Sequence, residues 1–259
     1  MPGLWLQNFK WIDVQEYLKK DDRIIIPWGS TEQHGRFAPL GTDTYSAISI
    51  AEDASSRTGV LIAPPVWYGW SPHHLVAPGT VSVRPEVLAE MLYDVIKSLA
   101  KHGFKKFVVI NGHRIVNIPW MQIAAERAQR ELGVRVVIFD PAYMSKEIVD
   151  RLGFGPVGHA EEIEISQMLY KYPELVELSM ARDNPPKDKP LYHVDPRSPK
   201  DTLCYVPSTE RDMRAIYEAT GDYITGRPTK ASKEKGREYH EYLVKRLIEV
   251  LDALKQGLL

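Results

Sequence analysis

Four short apolar runs without polar alternation most constrain what this chain can fold into: RIIIP over Arg23 to Pro27, VLIA over Val60 to Ala63, KFVVI over Lys106 to Ile110 and RVVIF over Arg135 to Phe139. A strand that alternates apolar and polar residues can leave one face to water, whereas a strand that does not must be covered on both. The covering material lies between the runs. Leu88, Met91, Leu92, Val95 and Leu99 recur at helical spacing, with Pro85 near the start and Gly103 just past the end. Segments Thr44 to Ser56 and Pro119 to Leu132 also read as helices, as does a C-terminal stretch with Leu243, Leu247, Val250, Leu251 and Leu254 on one stripe. Buried strands joined by crossover helices predict an α/β fold, a mainly parallel sheet flanked by helices on both faces.

The length of 259 residues suits one large domain over 1–259. Residues 172–209, rich in proline and charge (DNPPKDKP, DPRSPK) and without period, read as a long surface excursion. Acidic and basic residues balance to a net charge of −1, so neither nucleic acid nor a membrane surface is an expected partner, and a small polar molecule is. The single cysteine, Cys204, allows no internal disulfide. The first residues show no signal-peptide pattern and no apolar stretch reaches the ~18 residues of a membrane span, so the expected location is the cytoplasm.

Polar residues gather where strands should end, which is where open α/β sheets collect their ligands. After the first run comes WGSTEQHGRFAPLGTDTYSA, with Glu32 and His34 two residues apart and Asp43 nine further on. An extended backbone sends Glu32 and His34 to the same side. Carboxylate, imidazole and carboxylate suit Zn²⁺ or Mn²⁺, and a carboxylate can bridge two ions about 3.5–4 Å apart. Asp43 would serve equally as the cap of a helix beginning at Thr44. After the third run, NGHRIVN places His113 at the same sheet edge.

A third cluster, GPVGHAEEIEISQML, holds His159, Glu162 and Glu164 in the first turns of an expected helix, with Glu162 three residues from His159 on the same face. Acidic residues there also complement a helix dipole; beside an imidazole they fit metal-assisted hydrolysis. A fourth, YGWSPHHLVAPGT, sets Trp67, Tyr68 and Trp70 beside His73 and His74. It reads as the wall of a pocket for a flat polar ring or, equally, as a partly buried aromatic loop.

Taken in order, these segments resemble the creatininase (creatinine amidohydrolase) family over nearly the whole chain. The first is similar to its G-S-x-E-x-H-G … G-x-D signature, SPHHLVAPGT to its S-x-x-H … P-G-T segment, GHAEEIEIS to its H-A-x-E-x-E-x-S stretch and GDYITGRPTKASKEKG to its closing G-x-P-T-x-A-x-x-x-G pattern. The resemblance implies an α/β sandwich, a homo-oligomer that is often a hexamer, and two divalent metal ions, Zn²⁺ and/or Mn²⁺. It implies Glu32, His34, Asp43 and His113 as ligands, with Asp43 shared. Members hydrolyse cyclic amides and formamides, process a peptide, or open the oxidised inositol 3-dehydro-scyllo-inosose.

The chain departs from the pattern at Ile115, where creatininase itself has a glutamate, so that either Glu162 supplies the missing ligand or the centre is partly occupied. Arg36 and Phe37 stand where many members carry Pro-His, and Arg114 replaces a glycine. Two guanidinium groups at a pocket mouth would favour an oxygen-rich ring or acid. The expected enzyme is therefore a hydrolase with a metal-activated water, His159 moving a proton, Glu162 completing the second metal site and Glu164 orienting a neighbour. Trp70, His74, Arg36 and Arg114 would bind substrate. Three readings stay open: hydrolysis of an amide-type C–N bond or ring in a small polar cyclic substrate, ring-opening C–C hydrolysis of an oxidised inositol, and a metal-binding relative without catalysis.

Overall fold

The isoleucines of RIIIP show how the sheet is covered. Ile24 and Ile26 belong to one buried apolar cluster and Ile25 to another, as side chains that alternate across a strand must when both faces are packed. The computed structural model describes residues 4–185 and 208–259. Its sheet consists of β1 (Arg23–Trp28), β2 (Leu61–Ile62), β3 (Lys106–Asn111) and β4 (Arg135–Phe139), all parallel in the order β2-β1-β3-β4.

The helices among the described residues are α1 (Trp11–Leu18), α2 (Thr42–Thr58), α3 (Pro85–Lys101), α4 (Ile118–Leu132), α5 (Pro141–Met144), α6 (Lys146–Arg151), α7 (Glu162–Lys171), α8 (Glu210–Thr220) and α9 (Lys233–Gln256). On one face α2, α6 and α9 pack over Ile25, Val108 and Ile110. On the other, α3 and α4 cover Ile24, Ile26, Phe107 and Val109. The C-terminal stripe is real: Leu243, Leu247, Leu251 and Leu254 are fully buried, each contributing about 1.5–3 kcal/mol of transfer free energy. Val250 lies partly buried against the same cluster.

The four expected strands and the expected helices are present, with ends that shift by a few residues. The second strand shortens to two paired residues at the sheet edge. α1, α5, α6 and α8 have no counterpart among the expected helices: α1 is short, with Val14, Tyr17 and Leu18 only partly buried, α5 and α6 are shorter still, and α8 buries Met213 alone. A Thr209/Asp212 capping box starts α8 and Gly221 in the left-handed conformation ends it. Of the expected excursion, residues 186–207, including Cys204, lie outside the described residues. Its first part is not a free loop: Val176, Leu178 and Ala181 pack on a third cluster with Phe37, Ala160, Ile165 and Ile224.

The strand order fixes where a site can form. From β1 the chain moves to β2 on one side, then returns to place β3 on the other side of β1. α2, which follows β1, and α4, which follows β3, lie on opposite faces. The loops leaving β1 and β3 therefore part, and a crevice opens beyond their carboxyl ends.

Candidate metal centre

β1 and β3 pair in register from Arg23 with Lys106 to Trp28 with Asn111, so the residues after Trp28 and Asn111 leave the sheet side by side. The loop after β1 carries Glu32 and His34, both wholly buried, and enters α2, whose first turn holds the buried Asp43. His113, two residues beyond Asn111, is buried beside them. Gly112 makes this contact possible: a Cβ there would stand 2.0 Å from the backbone oxygen of Asp43. Gly29 does the same on the other exit, where a Cβ would meet the Thr44 nitrogen at 2.4 Å. Asp43 is not a helix cap. Gly41 takes that position, and the Asp43 carboxylate turns inward.

Its two oxygens divide between two imidazoles. Oδ2 is 2.9 Å from Nδ1 of His113, and Oδ1 is 3.2 Å from Nε2 of His34. Around it the described residues form three groups with donor atoms close enough to share an ion: Glu32, Asp43 and His113; His34, His159 and Glu164; and Glu32, His74 and His159. Glu32 Oε1 is 3.3 Å from His113 Nδ1, 3.5 Å from His159 Nδ1 and 3.6 Å from His74 Nε2. Glu164 Oε2 is 3.8 Å from His34 Nε2.

The two imidazoles pair with the Asp43 carboxylate, yet the cluster leaves much of its polar surface unsatisfied. Both oxygens of Glu32, Nε2 of His34, Oδ2 of Asp43 and Nε2 of His113 are buried and have no hydrogen-bond partner. A buried polar atom left in that state costs about 1–3 kcal/mol, more when charged, so several in one place mark a site shaped for something else. Oxygen and imidazole nitrogen donors without sulfur fit a Zn²⁺ or Mn²⁺ ion.

The electrostatics of the metal-free cluster agree. Burial pushes the Glu32 carboxyl up to about 7. Burial would lower His34 and His113, but the carboxylates win: His34 rises to about 10 beside Asp43, Glu164 and Glu32, and His113 to about 9 beside Glu32 and Asp43. Asp43, against its burial, is held well below the usual carboxylate range by these two imidazoles.

His159 and His74 stack at 4.1 Å between centroids, and burial lowers both well below the ordinary imidazole range. Glu162 is not in the cluster, which corrects the expectation that it is a metal ligand and catalytic partner. Its carboxylate takes Lys235 Nζ at 2.8 Å and the Gly155 N–H at 3.3 Å, because α7 begins at Glu162 and His159 lies before the helix, paired with Thr225. Glu164, expected only to orient a neighbour, faces His34 instead.

Arg114 does not stand at a pocket mouth either. It is buried, with Nη2 2.5 Å from Glu161 and 2.6 Å from Glu164. Arg36 donates to the Gly221 carbonyl, pairs with Asp222 at 3.6 Å and lines an outer groove with Glu174 and Glu177. Trp70 is partly buried against the cluster of Trp28 and Trp120 rather than facing the ligand atoms. Of the four expected substrate contacts, His74 reaches Glu32 directly and Arg114 touches the centre only through Glu164.

Sequence reasoning passed over Gln33, whose side-chain Nε2 is 2.8 Å from both His74 Nδ1 and His159 Nε2 and 3.1 Å from the Tyr223 carbonyl, while its backbone carbonyl lies 2.6 Å from His159 Nε2. It also passed over Glu161, which caps α7 and binds Arg114. Asp140 was missed too, although it follows the fourth strand directly; it accepts from Asn111 Nδ2 at 2.8 Å and the Ile115 N–H at 2.7 Å.

The chain is similar to known proteins in both sequence and fold. A curated relative, the 3-dehydro-scyllo-inosose hydrolase of Thermotoga maritima, is 32% identical over 98% of this chain and 86% of its own. The creatinine amidohydrolase of Pseudomonas putida is 29% identical over 86% of this chain and 92% of its own. A crystal structure of creatinine amidohydrolase superimposes with a TM-score of 0.79 at 26% identity, covering 96% of each chain. A manganese form of creatininase follows at 0.77, and a Zn–Zn form of a creatininase variant at 0.76, both at 26% identity over 96% of this chain and 97% of theirs. The family model for creatininase, described as creatinine amidohydrolase, matches residues 7–251, and the chain accordingly belongs to the creatininase family of hydrolases.

Proposed function

We propose that this hydrolase is metal-dependent and acts on a small polar cyclic substrate, opening a ring or cleaving an amide-type C–N bond with water. The observation that carries the reading is the convergence of buried, unpartnered donor atoms from Glu32, His34, Asp43 and His113. Glu32, Asp43 and His113 would hold one ion; His34 and Glu164, with the second oxygen of Asp43, would hold another. Divalent ions bound there supply acidified water and a polarised carbonyl. The zinc and manganese forms of solved creatininases favour those two metals.

The protein's own groups then handle protons. His159 Nε2 lies 2.6 Å from the Gln33 backbone carbonyl and 2.8 Å from the Gln33 side-chain nitrogen, contacts that fix the ring with Nδ1 3.5 Å from Glu32. With its hydrogen on Nε2, donated to that carbonyl, His159 takes a proton at Nδ1 from the attacking water and returns it to the leaving atom. The same side-chain amide sets His74. Its Nδ1 accepts from Gln33, so its Nε2 carries the hydrogen toward Glu32 and can donate to a developing oxyanion.

A second reading is ring-opening C–C hydrolysis of an oxidised inositol, as the name of the Thermotoga maritima relative describes. The 32% identity over 98% of the chain favours it, as does Ile115 where creatininase itself carries a glutamate. Among the described residues no helix is long and apolar enough to cross a membrane. A cytoplasmic homo-oligomer fits the reading. The test is turnover by the Zn²⁺- or Mn²⁺-loaded protein on creatinine and other cyclic amides, formamides and inosose-type ketones, followed by mass spectrometry. Metal-dependent addition of water to one class supports the proposal; a metal-loaded protein inert to every class favours a binding protein.

A further inference from the structure

We infer that Arg114 makes the two ion positions unequal, holding Glu164 to donation from a single oxygen and leaving the position of His34, Asp43 and Glu164 the weaker and more readily exchanged. The inference rests on the metal centre proposed above. It starts from a difference between two glutamates. Glu32 has both oxygens buried and unpartnered. Glu164 has Oε1 taken by the guanidinium, at 2.6 Å from Nη2 and 3.1 Å from Nε of Arg114. Its Oε2, which accepts the Ala160 N–H at 2.8 Å, is the oxygen that looks toward His34.

A carboxylate gripped by an arginine fork gives its lone pairs and its charge to the arginine first, and is a poorer ligand for it. The guanidinium also places a fixed positive charge beside the second position, in an interior that screens charge weakly. Glu161 offsets only part of that charge, since its other oxygen caps α7 through the Ile163 and Glu164 N–H groups. Nη1 of Arg114 has no partner at all. Ile115, the next residue, offers no side-chain donor to compensate.

The backbone holds this arrangement in place. Ile115 and Ala160 are the two non-glycine residues with positive φ among those described, at 68° and 52°. Strain of that kind persists only where surroundings over-determine it. At Ala160 it directs the N–H to Glu164 Oε2, and at Ile115 the N–H is tied to Asp140.

The test uses the full, metal-stripped chain titrated with Mn²⁺, read by equilibrium dialysis and by electron paramagnetic resonance, which separates isolated from coupled ions. The unaltered protein should take one ion tightly and a second at least ~10-fold more weakly, the scale on which a partner of a ligand acts. Two variants should move the second ion in opposite directions. Arg114→Met frees Glu164 and should narrow the gap. Glu161→Gln keeps the cap but leaves the arginine charge on Glu164 alone, and should widen it. Equal affinities in the unaltered protein, or an unchanged ratio in Glu161→Gln, would overturn the inference even if Arg114→Met does not fold. A chain that takes up no Mn²⁺ overturns the proposed metal centre and this inference together, whereas one tight ion with a ratio indifferent to Glu161 sinks this inference alone.

Discussion

His240 and His113 are both buried imidazoles set against aspartates, yet they are finished differently. His240 Nε2 is 2.8 Å from Asp53, its Nδ1 is 3.2 Å from the Gln167 amide, and Lys171 reaches the same Asp53 oxygen at 2.8 Å. That network closes: each polar atom named has a partner, and it joins α2, α7 and α9. The His113 cluster stays open, with unpartnered oxygens and nitrogens on Glu32, His34, Asp43 and His113. Histidine and carboxylate in proximity are thus not enough to mark a site. What marks it is desolvated polar atoms that the protein itself leaves unsatisfied.

The hardest blow to this contrast comes from Glu32→Ala. If the open cluster exists for metal, the variant loses bound metal and more than ~100-fold in activity, beyond the usual effect of an outer-sphere partner. Its metal-free fold should be as stable as the parent's or more so, because an unpartnered buried carboxylate is a cost. Metal analysis, turnover and thermal melting check this, and an active, metal-replete variant would end the argument. His240→Ala should do the reverse, costing about 2–3 kcal/mol in a urea titration by breaking satisfied bonds, with metal content unchanged.

The smallest effect sharpens the comparison through pH. Asp53 lies below its ordinary 3.8, despite burial, because His240 and Lys171 bond it; its contribution is present above that value and is lost as the pH falls through the lowered one. His34 and His113, raised from 6.5 to about 10 and about 9, stabilise the metal-free protein below 6.5 and lose that contribution as the pH climbs through those values. Melting temperature against pH in chelator should therefore fall on both limbs. Zn²⁺ should flatten the alkaline limb, whereas Asp53→Asn should leave that limb unchanged and reduce the acid one, to which Asp43 also contributes. An alkaline limb that responds to both would show the two clusters to be one system.

Much of this was legible in the chain. The runs at 23, 60, 106 and 135 gave the strands because burial on both faces removes polar alternation, and that property is written locally. Glu32, His34, Asp43 and His113 were readable as candidate ligands for a related reason: each follows closely on the carboxyl end of a strand or opens the helix after it, so finding the strands placed the candidates. Arg114 and Glu162 were not readable in the same way.

In HAEEIEIS, residues two apart on a helix point about 200° away from each other, so the starting point of α7 decides whether Glu162 or Glu164 faces His34. That start is fixed by Glu161 as cap, and Lys235 on α9 takes Glu162. Arg114 looked like a group for substrate because a guanidinium is expected to seek water. Only tertiary structure supplied the two carboxylates that hold it inside, since Glu161 and Glu164 come from a distant element and charge pairing across such a distance leaves no periodic trace in sequence.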